Sequence, residues 1–199
     1  EIWALLLLWL GCAEMALAAD LNAIVRDDNG NPVQNAVVLA APSGRIPPIK
    51  PGTVVVDQID KEYVPYVTPI LVGSLVSFPN KDNIRHNVYS FSPAKQFELP
   101  LYSGTPSAPV LFDKPGVVAL GCNIHDWMIA YLYVAETPYF GKTGATGATR
   151  LANLTPGDYT VRVWHPWMTA TEESTIQRIA IKNGISTEVS WRLGLKPEF

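Results

Sequence analysis

A short segment, residues 121–128 (GCNIHDWM), constrains the fold of this chain more than any other. It places a thiol, an imidazole and a thioether at the spacing Cys-x2-His-x2-Met, through Cys122, His125 and Met128. Short apolar runs bounded by turn residues are typical of β-strands. Such a run lies on each side of the segment, at residues 117–120 and 129–134. The segment is therefore predicted to be a loop between two strands, with three potential metal ligands.

A second imidazole lies upstream, where His86 follows the turn-forming residues 80–83 (NKDN) and opens the apolar-rich segment 86–91. Soft sulfur combined with imidazole suits copper, and two histidines, one cysteine and a distant axial methionine form the trigonal blue-copper site. The sequence therefore predicts one mononuclear copper site. Asn87 is the candidate for a hydrogen bond that holds the loop bearing Cys122 in place. The predicted metal ligands are His86, Cys122, His125 and Met128.

The order of these ligands, the His-Asn-Val start of the upstream segment and the short Cys-x2-His-x2-Met loop resemble the cupredoxin family. The His-to-Met spacing is that of the amicyanin type, whereas plastocyanin and pseudoazurin have a longer gap. The resemblance extends over about residues 52–135 and implies a Greek-key β-sandwich that carries single electrons. It also implies a c-type cytochrome or a periplasmic dehydrogenase as partner. The chain as a whole is similar to exported proteins of the type called methylamine utilization proteins.

The same resemblance implies that the ring edge of His125 reaches the surface inside an apolar patch. Ile124 and Trp127, in the same loop, are the candidates for that patch and for the point where electrons enter. The alternative is that Trp127 is buried against the flanking part of the protein as a core aromatic. Weak redox encounters use small interfaces, so a single charge in the patch is expected to slow electron exchange.

The first residues predict export to the periplasm. Residues 2–10 are an apolar stretch, and small residues at 16 and 18 supply a cleavage site, so residues 1–18 are interpreted as a signal peptide. The stretch is too short to span a bilayer, and Cys12 only weakly imitates a lipid-attachment motif. Removal of this segment leaves Cys122 as a single cysteine, which is a reactive thiol, an intermolecular disulfide or a metal ligand. The neighbouring histidine and methionine favour a metal.

Composition narrows the class of protein further. The chain has 199 residues, of which 48% are hydrophobic and 17% charged, enough for a sizeable core. The formal net charge is only −3 and no run of basic residues occurs, which argues against nucleic acid or an anionic membrane as partner. No segment has helical periodicity over a useful length. We therefore expect an all-β protein.

Two segments outside the cupredoxin-like region, residues 27–38 (DDNGNPVQNAVV) and 151–166 (LANLTPGDYTVRVWHP), resemble carboxypeptidase-regulatory and collagen-adhesin B-type modules. These modules are small Ig-like β-sandwiches. The predicted organisation inserts the cupredoxin domain into such a sandwich. Its parts are the signal peptide 1–18, the first sandwich strands with a Pro-rich linker 19–51, the cupredoxin domain 52–136, and the remaining sandwich strands 137–199.

Local signals give three further expectations. The Asn-Gly pairs at 29–30 and 183–184 predict β-hairpins. The segment 93–109 contains four prolines and is predicted to cross between sheets. His165 and Met168 have the same spacing as His125 and Met128, but no cysteine accompanies them. His165 is therefore interpreted as a strand-end residue and not as part of a second copper site.

The predicted function is electron transfer without catalysis, because four protein ligands leave the metal no open coordination position. Two alternatives remain. A copper-trafficking or storage protein would use the same ligands without moving electrons, and reversible redox behaviour separates it from an electron carrier. A carbohydrate-binding or adhesion module would make the sandwich primary and the copper site secondary, and stable copper binding would count against it.

Overall fold

A computed structural model describes residues 17–106 and 108–197. The regular secondary structure of this part of the chain is β-strand apart from a short 3-10 turn at Glu172–Thr175, which confirms the predicted all-β class. No helix in these two ranges is long and apolar enough to cross a bilayer. The predicted signal peptide, apart from its last two residues, and Cys12 lie outside the described residues.

The strands of the described ranges are short and follow one another closely. In chain order they are β1 Ala19–Asp27, β2 Val37–Pro42, β3 Thr53–Val55, β4 Asp57–Ile59, β5 Glu62–Val64, β6 Val67–Leu71, β7 Ser74–Ser77, β8 His86–Ser92, β9 Lys95–Tyr102, β10 Val110–Phe112, β11 Gly116–Gly121, β12 Ile129–Ala135, β13 Phe140–Lys142, β14 Ala148–Leu154, β15 Gly157–Trp164, β16 Gln177–Ile181 and β17 Thr187–Leu193.

The strands that flank the candidate ligands belong to a five-stranded sheet with the order β6-β12-β11-β8-β9. β8, β11 and β12 are antiparallel neighbours, whereas β6 runs parallel to β12. A three-stranded sheet, β10-β7-β3, shares a hydrophobic core with it. Because successive side chains of a strand point to opposite faces, Leu120 of β11 meets this core while its neighbour Ala119 is exposed.

The proline-rich segment 93–109 does not simply cross between sheets, so that prediction is wrong for its first half. β9 pairs antiparallel with β8 as a hairpin, from Ser92 opposite Lys95 to His86 opposite Tyr102. Pro100 is tolerated in β9 because β9 is an edge strand of the sheet. A proline has no N–H to donate, and at an edge this need not cost a hydrogen bond to a neighbouring strand.

Two further sheets, β14-β1-β17 and β13-β2-β15-β16, enclose a second hydrophobic core. Its buried residues lie between positions 19 and 40 and between positions 151 and 193. The first and last strands of the described ranges are neighbours, since β1 pairs parallel with β17 over Leu21 to Asp27. The core of the five-stranded sheet uses residues between 56 and 134. The boundaries of the predicted segments 19–51, 52–136 and 137–199 stay predictions.

Neither Asn-Gly pair forms the predicted hairpin. β1 pairs with β14 and β17, while β2 pairs with β13 and β15 in the other sheet. In the same way β16 pairs with β15 and β17 with β1. Each turn is closed by one isolated β-bridge, between Arg26 and Pro32 in the first and between Lys182 and Ile185 in the second. After each turn the chain continues into the opposite sheet. A turn residue fixes the local bend, but partner strands are chosen by burial across the whole core.

Contact between the two cores runs through β2, which is buried on both faces. Val38 and Ala40 face the second core, whereas Val37 and Leu39 pack against the outer face of the five-stranded sheet. Aromatic rings fill this contact, with Trp164 5.7 Å from Tyr133 and 5.8 Å from Tyr131 between ring centroids. The sheets β14-β1-β17 and β13-β2-β15-β16 form the flanking sandwich, which therefore covers part of that outer face.

Candidate metal centre

The fold brings together three of the four predicted ligands. The ligand atoms of His86, Cys122 and His125 all lie within 4.8 Å of one another. His86 begins β8, Cys122 follows the end of β11, and His125 lies in the loop before β12. His86 and the free thiol of Cys122 are buried, and His125 is partly exposed. The arrangement is a compact set of two imidazoles and one sulfur at one end of the sandwich.

The hydrogen bonding of the two histidines fits a metal. The Nδ1 atoms of both His86 and His125 are buried without a hydrogen-bond partner within the described ranges. Buried polar atoms are nearly always hydrogen-bonded, so two such nitrogens beside one thiol need an explanation. Imidazole nitrogen and thiolate are the donors that copper takes in trigonal sites. A copper ion held by the Nδ1 atoms and the Cys122 sulfur would satisfy all three groups.

Asp82 orients His86, a role that was not predicted from the sequence. Its carboxylate lies 2.7 Å from Nε2 of His86 and accepts backbone N–H bonds from Asp60 (2.7 Å) and Lys61 (2.9 Å). Burial alone would raise the pKa of Asp82, but the hydrogen bonds from Lys61, His86 and Asp60 outweigh it and lower that pKa. An ionised carboxylate only accepts, so Nε2 carries the proton and Nδ1 is left free as a ligand.

The turn that supports Asp82 is unusual in its backbone. Asp60 and Lys61, between β4 and β5, have φ values of 55° and 62°, in the left-handed region. This conformation aims two successive N–H groups at the same carboxylate. The sequence offered one signal for the pairing, since Asp82 stands four residues before His86 in the turn that precedes β8. The contribution of the Asp60–Lys61 turn, more than 20 residues away in sequence, had no local signal.

Asn87 links the two ligand-bearing strands. Its side-chain oxygen accepts the backbone N–H of Asn123 at 2.9 Å, one residue after Cys122. This is the bond proposed for it from the sequence, and its effect on a bound metal stays a prediction. The side-chain nitrogen is buried and has no partner among the described residues.

Tyr63 of β5 adds a second link that the sequence did not suggest. Its buried hydroxyl lies 2.9 Å from the carbonyl oxygens of both Asn87 and Gly121. Burial, and to a smaller extent the neighbouring Cys122, raises the pKa of Tyr63, so the hydroxyl stays protonated and donates. The ladder between β8 and β11 pairs only Gly121 with Tyr89. Tyr63 therefore holds the two strands together where the regular ladder does not.

Met128 is fully buried and lies immediately before β12. Its backbone N–H donates to the carbonyl of His125 at 2.9 Å, which closes the loop behind the histidine. The side chain belongs to the core of the five-stranded sheet. Its role as the axial ligand stays a prediction.

The loop presents apolar side chains around His125. Ile124 is 47% exposed and Trp127 66% exposed, so the alternative of a buried Trp127 is wrong. The rings of Trp127 and His125 lie 5.1 Å apart, and His125 in turn lies 5.0 Å from the His86 ring. An aromatic contact therefore leads from the surface to the candidate ligands.

His165 takes no part in this centre. It is buried in the flanking sandwich, where its Nδ1 accepts the backbone N–H of Trp167 at 3.2 Å. Burial lowers the pKa of His165, against a smaller opposite effect of a bond to the backbone of Gln34. Within the described ranges the cluster at Cys122 is the only group of three metal-ligating side chains of the His, Cys, Asp and Glu types.

No family model and no curated protein matches the chain. Among solved structures it is similar to a purple cupredoxin from Nitrosopumilus maritimus, with 22% identity over 42% of this chain and 99% of that one, at a TM-score of 0.36. It is similar to a mutant of amicyanin in its reduced state, with 21% identity over 49% of this chain and 99% of that one, at 0.38. It is also similar to a copper-containing nitrite reductase from Thermus scotoductus, with 23% identity over 57% of this chain and 28% of that one, at a TM-score of 0.40. Identities below 25% and TM-scores below 0.5 do not assign the chain to a family.

Proposed function

We propose that this protein is an exported blue-copper protein that carries single electrons between redox partners. The observation that carries the proposal is the pair of unpartnered, buried Nδ1 atoms of His86 and His125 beside the free thiol of Cys122. Zinc would accept the same donors, but two histidines, one cysteine and a nearby methionine suit copper better. Copper, when bound, would supply a one-electron couple.

The protein groups in this proposal act by holding the ligands still. Asp82 fixes the tautomer and orientation of His86, and Asn87 fixes the start of the loop that carries Cys122 and His125. Tyr63 links β8 and β11 through the carbonyl oxygens of Asn87 and Gly121. Ligands that do not move between oxidation states make electron exchange fast, and a site closed by Met128 leaves no position for a substrate. The proposal therefore does not include catalysis.

The proposed partners are other redox proteins, with a c-type cytochrome or a periplasmic dehydrogenase as the candidates. The proposed location is the periplasm, based on the signal-peptide pattern of residues 1–18. Both rest on the amino-acid sequence.

Cyclic voltammetry of the protein loaded with one equivalent of copper tests the proposal. We expect a reversible one-electron wave and retention of copper through repeated cycles. Copper that binds only as Cu(I) and is lost on oxidation would indicate trafficking or storage instead. Failure to retain copper in either state would leave the flanking sandwich as the functional part.

Met128→Gln tests the axial ligand. An oxygen donor favours Cu(II) over Cu(I), and in such sites the axial ligand tunes the potential and does not decide whether copper binds. We expect retained copper and a reduction potential lower by at least about 59 mV, which corresponds to a tenfold change for a one-electron couple. Voltammetry beside wild type gives the shift, and an unchanged potential would remove Met128 from the ligand set.

Trp127→Glu tests the electron port. The side chain is exposed, so the charge should leave the fold and the absorption spectrum nearly unchanged. We expect electron exchange with a c-type cytochrome to slow about tenfold, measured by stopped flow, because a charge now lies at the contact. Trp127→Phe is the matched control and should keep the wild-type rate. Equal rates in all three proteins would show that electrons enter elsewhere.

A further inference from the structure

A second exposed surface lies beside the candidate metal centre, on the outer face of the five-stranded sheet. The residues that alternate with the core positions of β8, β11 and β12 point outward there. We call their exposed part the open face. It is formed by Tyr89, Phe91, Ala119, Gly121, Ile129 and Tyr131.

The open face is the continuation of an interface that the flanking sandwich already covers. Tyr133 and Val67, on the same side of the sheet, are buried against Val37 and Leu39 of β2. Tyr131 belongs to both regions, since its ring contacts Trp164 of the sandwich and it also lines the open face. Beyond it, a shallow groove of about 370 Å³ remains uncovered.

Phe91 is the most unusual residue of this surface. Its side chain is 80% exposed, although it belongs to an inner strand of the sheet, near the hairpin turn to β9, and its ring lies 5.2 Å from that of Tyr89. No charged side chain in the described ranges lines the groove itself, and exposed Glu98 of β9, directly opposite Tyr89, lies at its border. A contiguous apolar surface of this kind marks an interaction site.

The open face lies next to the candidate metal centre, because Tyr89 packs against the residue that precedes Cys122. Tyr89 lies over Gly121, where a Cβ atom would come within 2.7 Å of the Tyr89 ring, so a larger residue would have to displace that ring. Gly121 directly precedes Cys122. Ile129 connects the face to the loop, since its N–H donates to the carbonyl of Trp127 at 3.0 Å. The open face and the exposed Trp127 therefore both adjoin the loop that begins at Cys122.

We propose that the open face is the docking surface for an electron-carrier protein whose cofactor edge is surrounded by uncharged, apolar side chains. The proposal rests on the proposed electron-transfer function and extends the partner contact from Trp127 to Phe91. An uncharged surface complements an uncharged one, because a charged partner group would lose its hydration here without compensation. Strand addition at the edge is disfavoured, since β9 carries Lys95 and Pro100.

Binding of a monohaem c-type cytochrome to the metal-free, isotope-labelled protein tests this proposal by nuclear magnetic resonance. We expect shifted amide signals at residues 89–91, 119–121 and 129–131. Phe91→Glu should weaken binding at least tenfold, whereas Phe91→Leu should bind like wild type. Ile185→Glu is the matched control, because Ile185 is an apolar residue with 59% exposure on the flanking sandwich. It should leave the affinity unchanged.

Three results would overturn the proposal. Amide shifts confined to other surfaces would show that the cytochrome docks elsewhere. Equal weakening by Phe91→Glu and Ile185→Glu would show a general charge effect. A wild-type dimer in sedimentation that Phe91→Glu converts to monomers would assign the face to a second copy of this chain. Because the titration needs no copper, a failure of the copper function would appear separately, as an absent copper spectrum, and would not decide the docking result.

Discussion

Replacing Cys122 by serine should remove the intense visible absorption band that the wild-type protein shows with Cu(II). The band arises from charge transfer between a thiolate and copper, and a serine hydroxyl offers no sulfur. Cys122 is the free cysteine of the described chain and lies among the two histidines, so no other described thiol can replace it. We expect at least a tenfold loss of absorption intensity at equal copper loading.

The serine variant also needs a control for folding. Cys122 is 3% exposed, and serine is close to cysteine in size and slightly smaller, so the fold should persist. Circular dichroism of the metal-free variant checks this. A band as intense as that of wild type, in a folded variant, would remove Cys122 from the site.

Replacing Asp82 by asparagine should weaken copper binding by about 10- to 100-fold, the usual cost of losing a group that orients a metal-bound histidine. The carboxylate accepts three hydrogen bonds, one from His86 and two from backbone N–H groups. An amide has one oxygen and one nitrogen, so it cannot accept on both sides. If its NH2 group faces His86, Nε2 becomes the acceptor and the proton moves to Nδ1, where the metal should bind.

Asp57→Asn is the matched control for Asp82. Asp57 is a partly buried aspartate that pairs with exposed Lys81 at 2.8 Å, and an ion pair with one exposed partner contributes little. We expect a change in copper affinity of less than about twofold in this control. Competition against a chelator of known affinity measures both variants. Similar affinities for Asp82→Asn and wild type would show that Asp82 does not set the orientation of His86.

The sequence was sufficient to predict the all-β class and the loop between β11 and β12, because both follow from local patterns. Cys122 and His125 could also be placed together from local sequence, since they are close in the chain. His86 lies far upstream, and its position next to Cys122 depended on the order of residues in cupredoxin-like chains. The structure brings these three together.

The partners of each strand could not be predicted from turn residues. The Asn-Gly pair at 29–30 bends the chain in either case, but whether β2 returns beside β1 depends on strands 100 or more residues later, β14 and β17. Asp82 and Tyr63 were missed for a related reason. Tyr63 acts through contacts with Asn87 and Gly121 that cross between strands, and the turn that supports Asp82 lies more than 20 residues before it, so no local spacing rule reveals these contacts.

X-ray absorption at the copper edge tests the central claim most directly, because it counts the atoms bound to the metal. For wild-type protein with one equivalent of copper, we predict one short sulfur ligand and two imidazole nitrogens in both oxidation states, with little change in distance between them. A copper ion surrounded only by nitrogen and oxygen, or one that exchanges its sulfur ligand on reduction, would contradict the account.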